Sequence, residues 1–238
     1  MKKIVSIGGG ELGAETEPLD RFIVELSGRE NPRLLFVPTA SYDAEGYIEA
    51  VRAQYGRLGC RVDALRLYSC ENTPAAVEKI GEKIRSADIV YVGGGDTETM
   101  MQKWAQFRAD AFLRQAYERG AVLSGLSAGS ICWFSAGYSD SEFFDRENPH
   151  PRYKWVRGLG LLPYLHCPHY DEEGYHAFDE AMRGQSAEGF ALENGTALVA
   201  LDGRLSVRRA DPAKKAYRLA WRGGRVEKTE FPQTGGAA

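Results

Sequence analysis

The chain lacks the features that mark several protein classes. No apolar run approaches the roughly 20 residues that cross a bilayer, so no membrane-spanning helix is expected. Neither sign of charge dominates: 30 Lys and Arg stand against 33 Asp and Glu, a net charge of −3. No basic excess argues for nucleic acid, and no run of like charge suggests a membrane surface. Cysteine is scarce. Cys60, Cys70, Cys132 and Cys167 are widely spread and form no C-x-x-C pair. Free, mostly buried thiols in a reducing compartment are expected, not a disulfide framework. The apolar run after Met1-Lys-Lys is too short for a signal peptide, so the expected location is cytoplasmic. Internal repeats are absent, and so is any linker that would divide the chain. Residues 1–232 are expected to form a single domain, and residues 233–238 a disordered tail.

What is present is a repeating alternation. Lys3–Ile7, Arg33–Val37 and residues 61–67, 88–92 and 121–126 are short, apolar or alternating, and read as strands. Between them, residues 18–27, 44–58 and Pro74–Ser86 carry helical spacing, and residues 97–120 hold one or two helices. Strand, turn and helix repeated in this way predict an α/β fold with a doubly wound, mostly parallel sheet. Residues 189–192, 196–201, 205–209 and 215–221 read as short antiparallel strands joined by turns such as Asp202-Gly203. In such sheets, sites gather beyond the carboxyl ends of the strands.

One of those ends carries chemistry. Gly125-Leu-Ser-Ala-Gly129 fits G-x-S-x-G between a strand and an expected helix at residues 130–134, the setting of a nucleophile elbow. There Ser127 is the candidate nucleophile, and the N–H of Ala128 would face a developing oxyanion at a helix N-terminus. A second donor should come from the glycine loop Gly93-Gly94-Gly95. Only four histidines can serve as base. His150 lies between prolines and His176 lies on an expected helix over residues 171–183. His166 and His169 flank Cys167-Pro168. Pro168 must end a strand, so His169 projects from its carboxyl end, at the level of the elbow. The orienting acid would lie between nucleophile and base in the chain, as in α/β hydrolases, which leaves Asp140 and Glu142 in the polar segment 135–155, read as a long loop.

Val92-Gly-Gly-Gly-Asp-Thr97, Gly125-Leu-Ser-Ala-Gly129 and Cys167-Pro-His-Tyr170, in that order, resemble the peptidase E family of serine peptidases, which includes cyanophycinase. The resemblance runs over residues 1–199. It implies a three-layer α/β/α fold akin to class I glutamine amidotransferases, with serine in place of their cysteine. It implies Ser127 as nucleophile, His169 as base, Asp140 or Glu142 as acid, and the N–H groups of Gly95 and Ala128 as oxyanion hole. No cofactor and no metal is implied. The expected partner is a short peptide cleaved after its first residue, and a homodimer is compatible with the reading. Asp96, with Thr97 beside it, is placed to meet the substrate's free amino group. Arg183, fourteen positions past His169 (183 − 169), resembles the arginine that recognises a substrate Asp in the family's dipeptidases. This chain departs from those enzymes in carrying Asp96 where they typically have Asn.

Two other readings compete. Gly8-Gly9-Gly10-Glu11-Leu12-Gly13 fits G-x-G-x-x-G after a strand, a dinucleotide fingerprint. No ribose-binding acid ends the second strand, and the following helix starts late. The other alternative is an amidotransferase-like binding module that kept the fold and lost the chemistry.

Overall fold

The computed structural model describes residues 1–232, so the expected tail at residues 233–238 lies outside the described residues. Five strands run parallel in the order β1 (Lys3–Ile7), β5 (Val122–Leu126), β4 (Ile89–Val92), β2 (Arg33–Val37) and β3 (Arg61–Ala64). Beyond β1, the antiparallel pair β10 (Thr196–Leu201) and β11 (Arg204–Arg209) extends the sheet to seven strands. The two-residue period of a strand decides which side chain faces which layer. Ile4, Leu35, Val37, Val90, Val92 and Leu123 pack on one face with α3 (Pro74–Ser86), α4 (Thr97–Phe107) and α5 (Ala109–Arg119). Val5, Ile7, Phe36, Ile89, Tyr91 and Val122 pack on the other with α1 (Glu17–Leu26) and α2 (Glu45–Arg57). This is the expected α/β fold with helices on both faces of a largely parallel sheet.

A second sheet exceeds the expectation. It runs β13 (Arg225–Glu230), β12 (Ala216–Arg222), β9 (Gly189–Leu192), β8 (Leu162–Cys167), β6 (Phe134–Ser139) and β7 (Lys154–Arg157). The two ends of the segment read as a loop, residues 135–155, are therefore strand, in β6 and β7. Gly137, whose hydrogen faces Ile131 at a distance no side chain could occupy, lets β6 lie against the elbow helix. The helix expected at residues 130–134 is the single turn α6 (Ala128–Ile131), because β6 starts at Phe134. The helix expected over residues 171–183 reduces to turns and α7 (Phe178–Ala181), since Gly174 at φ 90° interrupts it. Residues 97–120 form two helices, jointed at Arg108 with φ 58°.

Buried Asp20 of α1 braces α2 behind the first glycine loop. It accepts hydrogen bonds from Tyr55 Oη (2.9 Å), Gln54 Nε2 (3.0 Å) and Thr16 Oγ1 (3.0 Å). Burial outweighs these donors and lifts its pKa to about 6. The unfolded value is about 3.9. The folded state then holds the proton more tightly, so this group's stabilising contribution is complete below about pH 4 and is lost as pH rises through 6. Relative to Asp20→Asn, wild-type stability should fall by a few kcal/mol, on the order of 1.4 per pKa unit, between pH 4 and pH 7. Urea titrations of both proteins across that range check this, and parallel stability curves would contradict it.

Candidate active site

The site is assembled at the carboxyl ends of β1, β4 and β5. Ser127 follows β5 directly and caps α6 with φ 56° and ψ −120°, a conformation that non-glycine residues rarely adopt. Its two glycines are sterically required. A Cβ on Gly125 would come within 2.5 Å of the carbonyl oxygens of Gly129 and Val92, and one on Gly129 would overlap that of Val92. The turn is thus wedged against the end of β4. From residue 121 through residue 134, Ser127 alone is not fully buried. Gly94 passes over it: a Cβ there would lie 3.2 Å from the Ser127 Cβ and 3.6 Å from its Oγ.

The N–H groups of Gly95 and Ala128 have no intramolecular acceptor among the described residues. Ala128 is the first residue of α6, where helix geometry leaves the N–H unpaired. Gly95 adopts φ 131°, and a Cβ there would overlap the carbonyl oxygen of Ala40. Both donors therefore flank the Ser127 turn, one on the elbow and one on the loop that crosses it.

His169 lies just past β8, which belongs to the second sheet and not to the main one. It too has positive φ, 50°. Its Nδ1 is 2.9 Å from Asn194 Oδ1 and 3.0 Å from Glu172 Oε1. Asn194 Nδ2 donates to the same Glu172 oxygen at 2.8 Å, which turns its Oδ1 toward the ring. Both neighbours of Nδ1 are acceptors, so Nδ1 carries the proton and Nε2 keeps its lone pair, the tautomer of a general base. No hydrogen bond joins Ser127 Oγ to the imidazole among the described residues; such contacts commonly tighten only with substrate bound.

The end of β1 holds the parts together. The Ser127 N–H donates to the Ile7 carbonyl (3.2 Å) and the His169 N–H to the Gly8 carbonyl (3.0 Å). The N–H of Gly195, next to Asn194, donates to the Gly9 carbonyl (3.0 Å). Three consecutive carbonyls thus fix the backbones of the candidate nucleophile, the candidate base and the residue next to Asn194. The loop at residues 8–13 is occupied by this duty. A Cβ on Gly9 would overlap His169 Nδ1 and Asn194 Oδ1, and α1 begins only at Glu17, too late for a phosphate to meet its N-terminus. These facts count against the dinucleotide reading.

The acid expected at Asp140 or Glu142 is not the group on Nδ1. Glu142 Oε2 accepts from Arg152 N (3.0 Å), and its Oε1 lies 3.9 Å from Lys154 Nζ. Asp140 lies near Tyr175 and the His169 ring without a hydrogen bond to the imidazole. Asp96 is spent as the N-cap of α4: it accepts from the N–H groups of Glu98 and Thr99, from Thr99 Oγ1, and from Tyr42 Oη at 3.1 Å. Buried Thr97 accepts from Ser139 Oγ at 3.1 Å, tying α4 to β6. Arg183 pairs with Glu180 at 3.0 Å on the surface, both side chains more than 60% exposed, and touches none of the site residues. His166 is fully buried, its Nδ1 on the Phe190 carbonyl (2.9 Å) and its Nε2 on Ser130 Oγ (2.8 Å), and burial lowers its pKa to about 3. It stays neutral and supports α6 from behind. The sequence reading missed Glu172 and Asn194. Glu172 stands three residues past His169, a spacing that could have found it, whereas Asn194 is brought in from 25 positions away.

Comparison with known proteins gives the family. The family model described as peptidase family S51 matches residues 4–208. The chain belongs to peptidase family S51. It is 33% identical over 225 residues to an uncharacterized peptidase of Bacillus subtilis, YgaJ, covering 92% of each chain. It is 26% identical over 171 residues to a peptidase E of a Nostoc species, covering 70% of this chain and 64% of that one. Among solved structures, a peptidase from an acI-B1 actinobacterium superposes with a TM-score of 0.69 at 18% identity, covering 97% of both chains. A putative peptidase E of Listeria monocytogenes gives 0.64 at 19% identity, over 88% of this chain and 98% of that one. These structures share their fold with the chain. The chain is a peptidase, and among its described residues no helix is long and apolar enough to cross a membrane.

Proposed function

We propose that the chain is a serine exopeptidase of dipeptidase type, acting on short peptides through an acyl-enzyme. Ser127 Oγ attacks the first peptide carbonyl carbon while His169 Nε2 takes its proton. The oxyanion accepts hydrogen bonds from the Gly95 and Ala128 N–H groups. The imidazolium returns the proton to the leaving amine, and the acyl group stays on Ser127. A water, deprotonated by the same Nε2, then releases the N-terminal residue as its free acid. Glu172 and Asn194 hold the ring and stabilise the imidazolium. The observation that carries the reading is the run of Ile7, Gly8 and Gly9 carbonyls binding the backbones of Ser127, His169 and Gly195.

An Asp preference has little support. Arg183 lies on the surface, paired with Glu180, and the charged group near His169 is the Asp140 carboxylate. A panel of dipeptides tests the reading. Ala-Leu and Met-Leu should be hydrolysed at least as fast as Asp-Leu, and N-acetylated Ala-Leu should resist. Efficient cleavage of the acetylated peptide would remove the exopeptidase claim.

A further inference from the structure

Asp140 has no part in orienting the base, yet it stands inside the site. Ser139 Oγ donates to Thr97 Oγ1 at 3.1 Å, and the Glu98 N–H donates to Ser141 Oγ at 3.1 Å. The residues on either side of Asp140 are thereby tied to the first turn of α4, two and three positions past Gly95 (97 − 95 and 98 − 95). On its other side Asp140 faces Tyr175, close enough for the two groups to influence each other electrostatically. The buried Tyr175 ring lies 5.4 Å from the imidazole of His169, centroid to centroid. The carboxylate therefore lies between the oxyanion loop and the base and is half-buried.

It also lacks a counter-charge. No ion pair among the described residues includes Asp140. Lys154, opposite Ser139 in the β6–β7 register, is held instead by Glu98 at 2.6 Å and Glu142 at 3.9 Å. Burial raises the pKa of Asp140, the mark of a carboxylate that a positive group would stabilise.

We propose that Asp140, placed between the first turn of α4 and Tyr175, binds the α-ammonium group of the substrate's first residue and so confines hydrolysis to the first peptide bond. The inference rests on the exopeptidase reading above. In any peptide the α-nitrogen lies about 2.5 Å from the carbonyl carbon of its own residue, two bonds away. When that carbon is under attack, the group that holds the ammonium must sit beside the oxyanion loop and the base. Asp140 is the free carboxylate in that place, since Asp96 is consumed as a helix cap and Glu172 is taken up by His169 and Asn194. An ammonium donates up to three charge-assisted hydrogen bonds, whereas an internal peptide nitrogen offers one neutral N–H and continues into chain.

The test compares Ala-Leu with N-acetyl-Ala-Leu in wild type, Asp140→Asn and Asp140→Glu. The ratio of kcat/KM for the free over the acetylated peptide should drop about 10- to 100-fold in Asp140→Asn, mainly through KM, and return in part in Asp140→Glu. A drop of equal size for both peptides would overturn the proposal and make Asp140 a partner of the histidine. Tyr175→Phe removes only the hydroxyl and should shift the ratio in the same direction by less. Calorimetry with Ala-Leu on Ser127→Ala, with and without Asp140→Asn, reads binding apart from turnover. Weakening by at least about tenfold supports the anchor. Unchanged affinity, or no binding to Ser127→Ala, overturns it. If wild type cleaves neither peptide, the dipeptidase reading has failed and calorimetry still decides Asp140.

Discussion

Ser127→Ala is expected to lower peptide turnover by about 10⁴-fold or more, as loss of a nucleophile does in other serine triads. The fold should survive. Ser127 Oγ makes no hydrogen bond among the described residues, and the elbow is held by backbone contacts to Ile7 and to α6. A companion variant separates chemistry from structure. At φ 56° and ψ −120° a side chain is strained, and such strain costs of order 1–3 kcal/mol. Ser127→Gly relieves it. That variant should be as inactive as Ser127→Ala yet more stable than wild type, with a higher midpoint in thermal or urea unfolding. An inactive but destabilised glycine variant would argue that the elbow is not strained. An active alanine variant would remove Ser127 from the chemistry.

Gly9→Ala is expected to cost about 10²-fold in kcat with most of the fold retained. The added methyl would meet side chains, the His169 ring and Asn194 Oδ1, coming within 2.5 Å of His169 Cε1. Gly9 lacks the positive φ that would bar alanine, so the strain falls on the base and its partner. Displacing a catalytic group by an ångström is enough for a loss of that size. Its neighbour behaves differently. A Cβ on Gly8 would meet backbone, the carbonyl oxygens of Glu193 (2.6 Å) and Leu192 (2.7 Å). Gly8→Ala should therefore destabilise the protein by about 1–3 kcal/mol, as overpacking does. Kinetics and unfolding curves of the two variants check this division. Equal effects on activity and stability in both would contradict it.

The contrast between these glycines shows what the sequence disclosed. The elbow was legible because its chemistry is local: two glycines and a serine between a strand and a helix leave few alternatives. His169 was legible because Pro168 ends a strand. The partners of His169 were harder to see. Asn194-Gly195 reads as a turn between two strands, and nothing local says that the amide reaches a histidine 25 positions away. Asp140 stood in the expected chain order for an acid, but order says nothing of direction, and β6 turns it toward Tyr175. Asp96 looked available beside a glycine loop, yet an aspartate before a helix is first a cap. In the fold, the parallel strands declared themselves by apolar runs. In the second sheet β6 did not, because, with exposed Ser135 and buried Gly137, it has neither an apolar run nor a clean alternation. The glycines at residues 8–13 answer a steric need other than a pyrophosphate's: a Cβ on Gly9 would meet His169 and Asn194.

The central claim is that Ser127 is the residue acylated. Incubating the purified chain with a serine-directed fluorophosphonate and mapping the adduct by peptide mass spectrometry tests it directly. A single adduct on the peptide containing Ser127, abolished in Ser127→Ala and slowed in His169→Ala, is the predicted result. Modification of another residue, or none while the enzyme hydrolyses peptides, would contradict it.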